Sequence, residues 1–66
     1  MDVEDFMLKV AKRLKSKADE MSETAKALTE SDKEVSRLFG AMMYLRTNTL
    51  YDIVIAILET IEEMKK

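Results

Sequence analysis

The sequence predicts an all-α protein: a long antiparallel helical hairpin that pairs with a second copy to form a four-helix bundle. The chain has 66 residues with no proline and one glycine, which favours helix throughout. Small and long apolar residues alternate at seven-residue intervals in its first half, as in helices that pack closely. One capping signal then divides the chain near its middle. These observations predict a single helical-hairpin domain over residues 1–66.

The first helix is predicted over about residues 2–28. Apolar residues keep helical spacing along it, and acidic Asp2, Glu4 and Asp5 occupy its first turn, where the helix dipole favours negative charge. Along one edge, an alanine at every seventh position leaves room for another helix to approach closely. These alanines are Ala11, Ala18 and Ala25, and they alternate with Met7, Leu14, Met21 and Leu28.

The turn is predicted over about residues 29–31 and the second helix over about 32–65. Ser31 and Glu34 have the spacing of a capping box, in which the serine oxygen accepts from the Glu34 amide and the carboxylate reaches back to Ser31. A turn centred near residue 30 pairs residues whose numbers sum to about 61. The segment from Arg46 to Thr49 has low helix propensity, which leaves open a three-helix bundle split there.

The second helix is apolar on two sides, and a helix of that kind belongs in an interior. One side is expected to pack within the hairpin; its residues are Val35, Leu38, Phe39, Met42, Leu45, Ile53, Ile57, Ile61 and Met64. The opposite side is expected to pack on a second copy, or alternatively on a different helical protein. Its residues are Tyr44, Tyr51, Ile55 and Leu58. The predicted interface combines these four residues with the three alanines.

The small size of the chain also favours self-association. A chain of this length buries only about 60% of the surface that its unfolded form exposes, and it has neither cysteine nor histidine to supplement the core. In its size, its hairpin and its alternation of alanine with long apolar residues, the predicted layout resembles the Rop family of plasmid RNA-binding proteins. The resemblance implies a fold and assigns no residue a role.

No residue pattern indicates catalysis, a cofactor or a metal. Without histidine or cysteine the usual nucleophile and base pairs are absent. The carboxylate pairs Glu20 with Glu23 and Glu59 with Glu62 stand one turn apart, as in helical bundles that hold metals. The fold-back places the two pairs far apart and no histidine is present, so we expect both pairs on solvated helix faces. We therefore expect a non-enzymatic interaction or adaptor module that binds itself and carries no cofactor.

A run of basic residues gives an alternative function, that of a small dimeric regulator that binds nucleic acid. This basic arc has no acid within it, and the fold-back is expected to place Arg46 and the two tyrosines beside it. A net charge of −2 weighs against a dedicated nucleic-acid protein. The arc consists of Lys9, Lys12, Arg13, Lys15 and Lys17.

The sequence also predicts a cytoplasmic protein that does not cross a membrane. Its first residues are acidic where a signal peptide is basic. Its longest apolar stretch, over residues 50–58, contains Asp52 and is far shorter than the ~20 residues that span a bilayer. The absence of glutamine, histidine and cysteine, with many lysines and glutamates, is typical of thermophilic proteins.

Overall fold

The computed structural model describes residues 2–66 and contains two α-helices packed as a hairpin. Helix α1 spans Val3–Thr29 and helix α2 spans Glu34–Met64. A short turn over residues 30–33 joins them. The predicted all-α helical hairpin is therefore confirmed, with both helices within two residues of the expected bounds.

Helix α1 begins where its acidic first turn predicts. The Asp2 carboxylate caps the helix by accepting a hydrogen bond from the Glu4 amide at 3.1 Å. At the other end, the Glu30 amide donates to the Lys26 carbonyl at 3.1 Å, and the Thr29 hydroxyl donates to the same carbonyl at 2.9 Å. Both ends thus satisfy backbone groups that a helix terminus leaves without partners.

The predicted capping box at the start of α2 is wrong. The Ser31 hydroxyl accepts a hydrogen bond from the Lys33 amide at 3.1 Å instead of from Glu34. The residue at the N-cap position is Lys33, whose side chain makes no capping hydrogen bond. Serine hydroxyls readily bond two residues ahead in a turn, and this local bond delays the start of α2 to Glu34.

Helix α2 continues unbroken through the segment from Arg46 to Thr49. The Thr47 hydroxyl donates to the Met43 carbonyl at 2.8 Å, and the Thr49 hydroxyl donates to the Leu45 carbonyl at 3.1 Å. These hydroxyls, which could have competed with the helix, bond back to the preceding turn. The three-helix alternative is therefore wrong, and the preferred single long helix is confirmed.

The two helices meet along a narrow line of small side chains, here called the seam. Ala18 and Ala25 are fully buried, and a Cβ atom built on Gly40 would lie 2.9 Å from the Ala25 carbonyl oxygen. Such a distance shows that the two backbones approach very closely at Gly40. The seam consists of Ala11, Ala18 and Ala25 from α1 with Gly40, Thr47, Val54 and Ile61 from α2.

The side of α2 that faces α1 differs from the predicted one. Apart from half-buried Ile57 and buried Ile61, the residues expected to pack within the hairpin are exposed. The seam row of α2 has mixed polarity, so hydrophobic periodicity does not detect it. The first two residues of this row, Gly40 and Thr47, are small. Their size leaves space for the alanines of α1 to pack against them.

The register between the helices also differs from the predicted sum of 61, which would place Tyr51 beside Val10. In the structure the Tyr51 hydroxyl donates to the Asp19 carboxylate, and the Lys65 ammonium lies 3.1 Å from a Glu4 carboxylate oxygen. These pairs sum to 70 and 69, so each residue of α2 meets a residue of α1 nearer the C-terminus than predicted. The turn over residues 30–33 lies later than the predicted 29–31 and accounts for part of this difference.

The hairpin is a single layer of helix. Its Cα atoms extend over 49 × 18 × 11 Å, and the two helices lie side by side with no second layer against them. The radius of gyration is 15.2 Å, whereas a compact chain of this length has one of about 11 Å. Within residues 2–66, neither helix is apolar enough over a sufficient length to cross a membrane.

Candidate interaction surface

The seam divides the long sides of the hairpin into two flanks. Continued by one seven-residue step towards the N-terminus, the seam row of α1 reaches Glu4. Successive helix residues turn by about 100°, so residues three after and one before a seam residue or Glu4 lie on one flank. Residues four after and one after a seam residue or Glu4 lie on the other. Two observations confirm the division: Met21 and Leu50 line one shared hollow with Arg46, while Tyr51 bonds Asp19 on the opposite flank.

The first side, here called the apolar flank, is continuous and carries no carboxylate. Twelve of its sixteen residues are apolar, two are threonines, and only Lys17 and Arg46 are charged. None of the twelve is buried. Its α1 residues are Val3, Met7, Val10, Leu14, Lys17, Met21, Thr24 and Leu28. Its α2 residues are Phe39, Met43, Arg46, Leu50, Ile53, Ile57, Thr60 and Met64.

The second side, here called the tyrosine flank, is mixed. Seven of its sixteen residues are charged, and six are apolar. Its α1 residues are Asp5, Leu8, Lys12, Lys15, Asp19, Ser22, Lys26 and Thr29. Its α2 residues are Ala41, Tyr44, Asn48, Tyr51, Ile55, Leu58, Glu62 and Lys65.

Polar contacts on the tyrosine flank connect the two helices. Asp19 accepts a hydrogen bond from the Tyr51 hydroxyl and one from the Lys15 ammonium, the latter at 2.9 Å. These bonds, that from Tyr51 foremost, lower the pKa of Asp19 from its ordinary value. The same contact raises the pKa of Tyr51, because an ionised phenol would lose its hydrogen bond and face a carboxylate. This part of the flank already has partners for its polar groups.

At the open end of the hairpin, Lys65 and Glu4 form a second polar contact between the helices. Their charged atoms lie 3.1 Å apart, and both side chains retain solvent exposure. The hydrogen bond from Lys65 to the Glu4 carboxylate raises the pKa of Lys65. This contact brings the last turn of α2 to the first turn of α1.

The residues of the predicted interface fall into two separate environments. The alanines lie inside the hairpin, where α2 of the same chain fills the space they leave. Tyr44 and Tyr51 are half-buried on the tyrosine flank, with Ile55 and Leu58 exposed beside them. The four α2 residues thus share a side, as their spacing predicts, and whether a second copy covers that side stays a prediction.

The basic arc is exposed, but it does not form one patch with Arg46 and the tyrosines. Lys12 and Lys15 lie on the tyrosine flank, whereas Lys17 and Arg46 lie on the apolar flank. The expectation that Arg46 and both tyrosines lie together beside the arc is therefore wrong. The remaining two cations, Lys9 and Arg13, line a shallow hollow with exposed Phe6 on α1.

Sequence reasoning missed the apolar flank as a surface. The long residues of α1 were assigned to packing between helices, yet they are only half-buried. The missing signal was the seven-residue row from Gly40 through Thr47 and Val54 to Ile61. Once that row is taken as the contact line, the residues three positions later become the edge of an open surface.

Within residues 2–66, no cluster of three or more potential ligand side chains could hold a metal ion. The carboxylate pairs Glu20 with Glu23 and Glu59 with Glu62 are exposed, as expected from the sequence. The surface therefore offers apolar area, exposed cations and the Tyr51–Asp19 contact.

No protein-family model, curated protein or solved structure matches the chain.

Proposed function

We propose that this protein is a non-enzymatic helical module that binds a second copy of itself to form a four-helix bundle. In this role it serves as an interaction or adaptor unit. The observation that carries the proposal is the open single layer: two helices lie side by side, with large apolar side chains on the surface. Two helices in one layer cannot enclose a core, and a second layer would.

The surface area of the hairpin supports this proposal. The protein exposes 5240 Å², whereas a folded monomer of its mass, 7.6 kDa, exposes about 4,300 Å². The excess is about 900 Å², and each partner in a standard protein interface buries about 800 Å². Pairing would therefore remove the surplus surface that distinguishes this chain from a compact monomer.

The exposed residues support it as well. Eleven large apolar side chains are exposed, among them Phe6, Phe39 and Met42. Single exposed apolar residues are normal on a protein, whereas contiguous ones mark contact surfaces. The apolar flank runs along both helices, which favours a partner as long as the hairpin, and a second hairpin meets that requirement.

Absolute mass by light scattering on a sizing column tests the proposal. We expect twice the chain mass at micromolar concentration, and a thermal midpoint that rises with protein concentration, because unfolding and dissociation are coupled. A folded monomer at all concentrations, with an unchanging midpoint, would overturn it. Circular dichroism on the same samples confirms that the helices are formed.

A second candidate, nucleic-acid binding, is favoured by one observation. All five residues of the basic arc are exposed, and within residues 2–66 only Lys15 among them has an ion-pair partner. The others are available to phosphates.

The test of this candidate is titration of short RNA and DNA duplexes at two salt concentrations. Binding that weakens steeply with salt and is lost in Lys12→Glu/Arg13→Glu would support it. The matched control is Lys26→Glu/Lys33→Glu, which makes the same charge change outside the arc. Binding insensitive to salt and to both variants would contradict it.

A further inference from the structure

We infer that the second copy docks on the apolar flank, so that the tyrosine flank forms the outside of the dimer. This inference rests on the proposed self-association and names the surface that carries it. It differs from the interface that periodicity predicts, which places Tyr44, Tyr51, Ile55 and Leu58 at the contact. The two flanks have the same number of residues, so their composition can be compared directly.

Docking on the tyrosine flank would remove more charges from water than docking on the apolar flank. The tyrosine flank carries seven charged side chains and the apolar flank carries two. Burying a charge without a partner is strongly unfavourable. Compared with covering the tyrosine flank, covering the apolar flank therefore removes more apolar surface from water. It also leaves fewer charged side chains that need a partner in the interface.

Three of the seven charged side chains of the tyrosine flank already have partners within the chain. Asp19 is bonded to Tyr51 and Lys15, and Lys65 is paired with Glu4. These groups remain solvated, and a copy docked there would remove water from them without supplying new partners. The apolar flank has no comparable contact between its helices.

Seven of the eight residues that lie three positions after a seam residue or after Glu4 are half-buried: one side meets the other helix and the other side is open. The shared hollow at Met21 and Leu50 lies on this surface. A second layer at the usual interhelical distance of about 8–10 Å would complete the burial of these residues as the central core of a bundle.

The two cations of the apolar flank fit this arrangement. Lys17 and Arg46 each lie one residue before the seam, near the middle of their helix. Their aliphatic stems can cover apolar surface while the charged ends reach the edge of the face. Glu20, which lines a hollow with Lys17, lies at that edge and offers a carboxylate to a cation of the other copy.

Two isoleucines on α2 provide a matched test. Ile53 lies on the apolar flank and is 43% exposed, and Ile55 lies on the tyrosine flank and is 51% exposed. We expect Ile53→Glu to weaken dimerisation by at least ~100-fold, because each copy would bury a carboxylate, and Ile55→Glu to leave it nearly unchanged. Sedimentation equilibrium measures both dissociation constants, and circular dichroism confirms the helices.

The possible results separate the two claims. A monomeric wild type overturns the proposed function itself. A dimeric wild type that survives Ile53→Glu but dissociates with Ile55→Glu overturns the inference and leaves self-association standing. Equal effects of the two variants, large or absent, also overturn it, because the dimer would then not distinguish the flanks.

A milder substitution tests the same surface if Ile53→Glu fails to fold. The chain has no cysteine, so Ile53→Cys and Ile55→Cys each introduce one thiol. We expect alkylation of Cys at position 53 to slow at least ~10-fold between dilute and concentrated protein as the dimer covers it, and no slowing at position 55. Equal rates at both concentrations for position 53 would overturn the assignment.

Discussion

The seam and the tyrosine flank join the same two helices in different ways. In the seam, alanines meet Gly40 and Thr47 with almost no exposed surface, and the fit depends on the absence of side-chain volume. On the tyrosine flank, Tyr51 bonds Asp19 across the helices while solvent remains present. Close packing tolerates little change in volume, whereas exposed polar contacts contribute little to stability. Small side chains in the seam therefore set how closely the two helices approach.

The largest effect on stability is expected from filling the seam. Ala18 is fully buried, so Ala18→Leu would force the helices apart and lower the free energy of unfolding by about 1–3 kcal/mol. Ala27→Leu is the matched control, since Ala27 is exposed on the same helix. Urea unfolding followed by circular dichroism measures both. Equal stability of the two variants would show that the seam tolerates volume.

The next largest effect on stability is expected from Gly40→Ala, in which a gain in helix propensity is opposed by steric contacts with α1. Alanine improves helix propensity by about 1 kcal/mol, but its Cβ would lie 2.6 Å from the Thr29 Cγ2 and 2.9 Å from the Ala25 carbonyl oxygen. Because a backbone atom cannot move aside cheaply, we expect Gly40→Ala to be destabilising in urea unfolding.

Removing the Thr29 methyl group sharpens this prediction. The double variant Gly40→Ala/Thr29→Ser relieves the shortest contact but leaves the 2.9 Å contacts with the α1 backbone. We therefore expect it to recover only part of the lost stability. If Gly40→Ala were more stable than the wild type, the helices would separate easily at this point. That result would contradict the conclusion that the seam tolerates little change in volume.

A smaller effect is expected from Tyr51→Phe, which removes the hydroxyl that bonds Asp19. The folded-state pKa of Asp19 is lowered, so its contribution to stability is present above its ordinary pKa and is lost as the pH falls through the folded value, below about pH 4. The pKa of Tyr51 is raised, so its contribution is lost as the pH rises above about 10.

Unfolding midpoints measured across pH therefore distinguish the two proteins. The wild type should lose more stability than Tyr51→Phe at both ends of the pH range. Tyr44→Phe serves as the control, because Tyr44 is half-buried on the same flank. Parallel pH profiles for wild type and Tyr51→Phe would contradict the role of this contact.

The smallest effect is expected at the open end, from Glu4→Gln. The ion pair with Lys65 is exposed, and such pairs add little because water and salt screen them. We expect no measurable change in the thermal midpoint at 0.15 M salt, and a slight decrease at low salt. Asp5→Gln is the control for the loss of a charge near the helix N-terminus. A large decrease of the thermal midpoint in Glu4→Gln, but not in Asp5→Gln, would contradict this prediction. It would mean that the ion pair at the open end contributes to stability as much as the seam does.

The seven-residue row of Ala11, Ala18 and Ala25 identified half of the seam before any tertiary structure was known. The other half was missed because Gly40 and Thr47 interrupt the hydrophobic pattern of α2. The basic arc was recognised as a run of exposed charge, but its division between the flanks follows from the orientation of α1 around the seam. The sequence identifies the tyrosine side as a group of residues, but it does not predict the hydrogen bond between Tyr51 and Asp19.

The sequence by itself determined the helical class, the hairpin and the bounds of both helices to within two residues, because these follow from local propensity and apolar periodicity. It also identified the alanine edge of α1 as a close-packing edge, but not that α2 of the same chain packs there. The tertiary structure alone decided the register and the side of α2 that meets α1. Helix α2 is apolar on two sides, so periodicity allows more than one orientation, and the choice depends on shape: α1 packs where Gly40 and Thr47 leave it room.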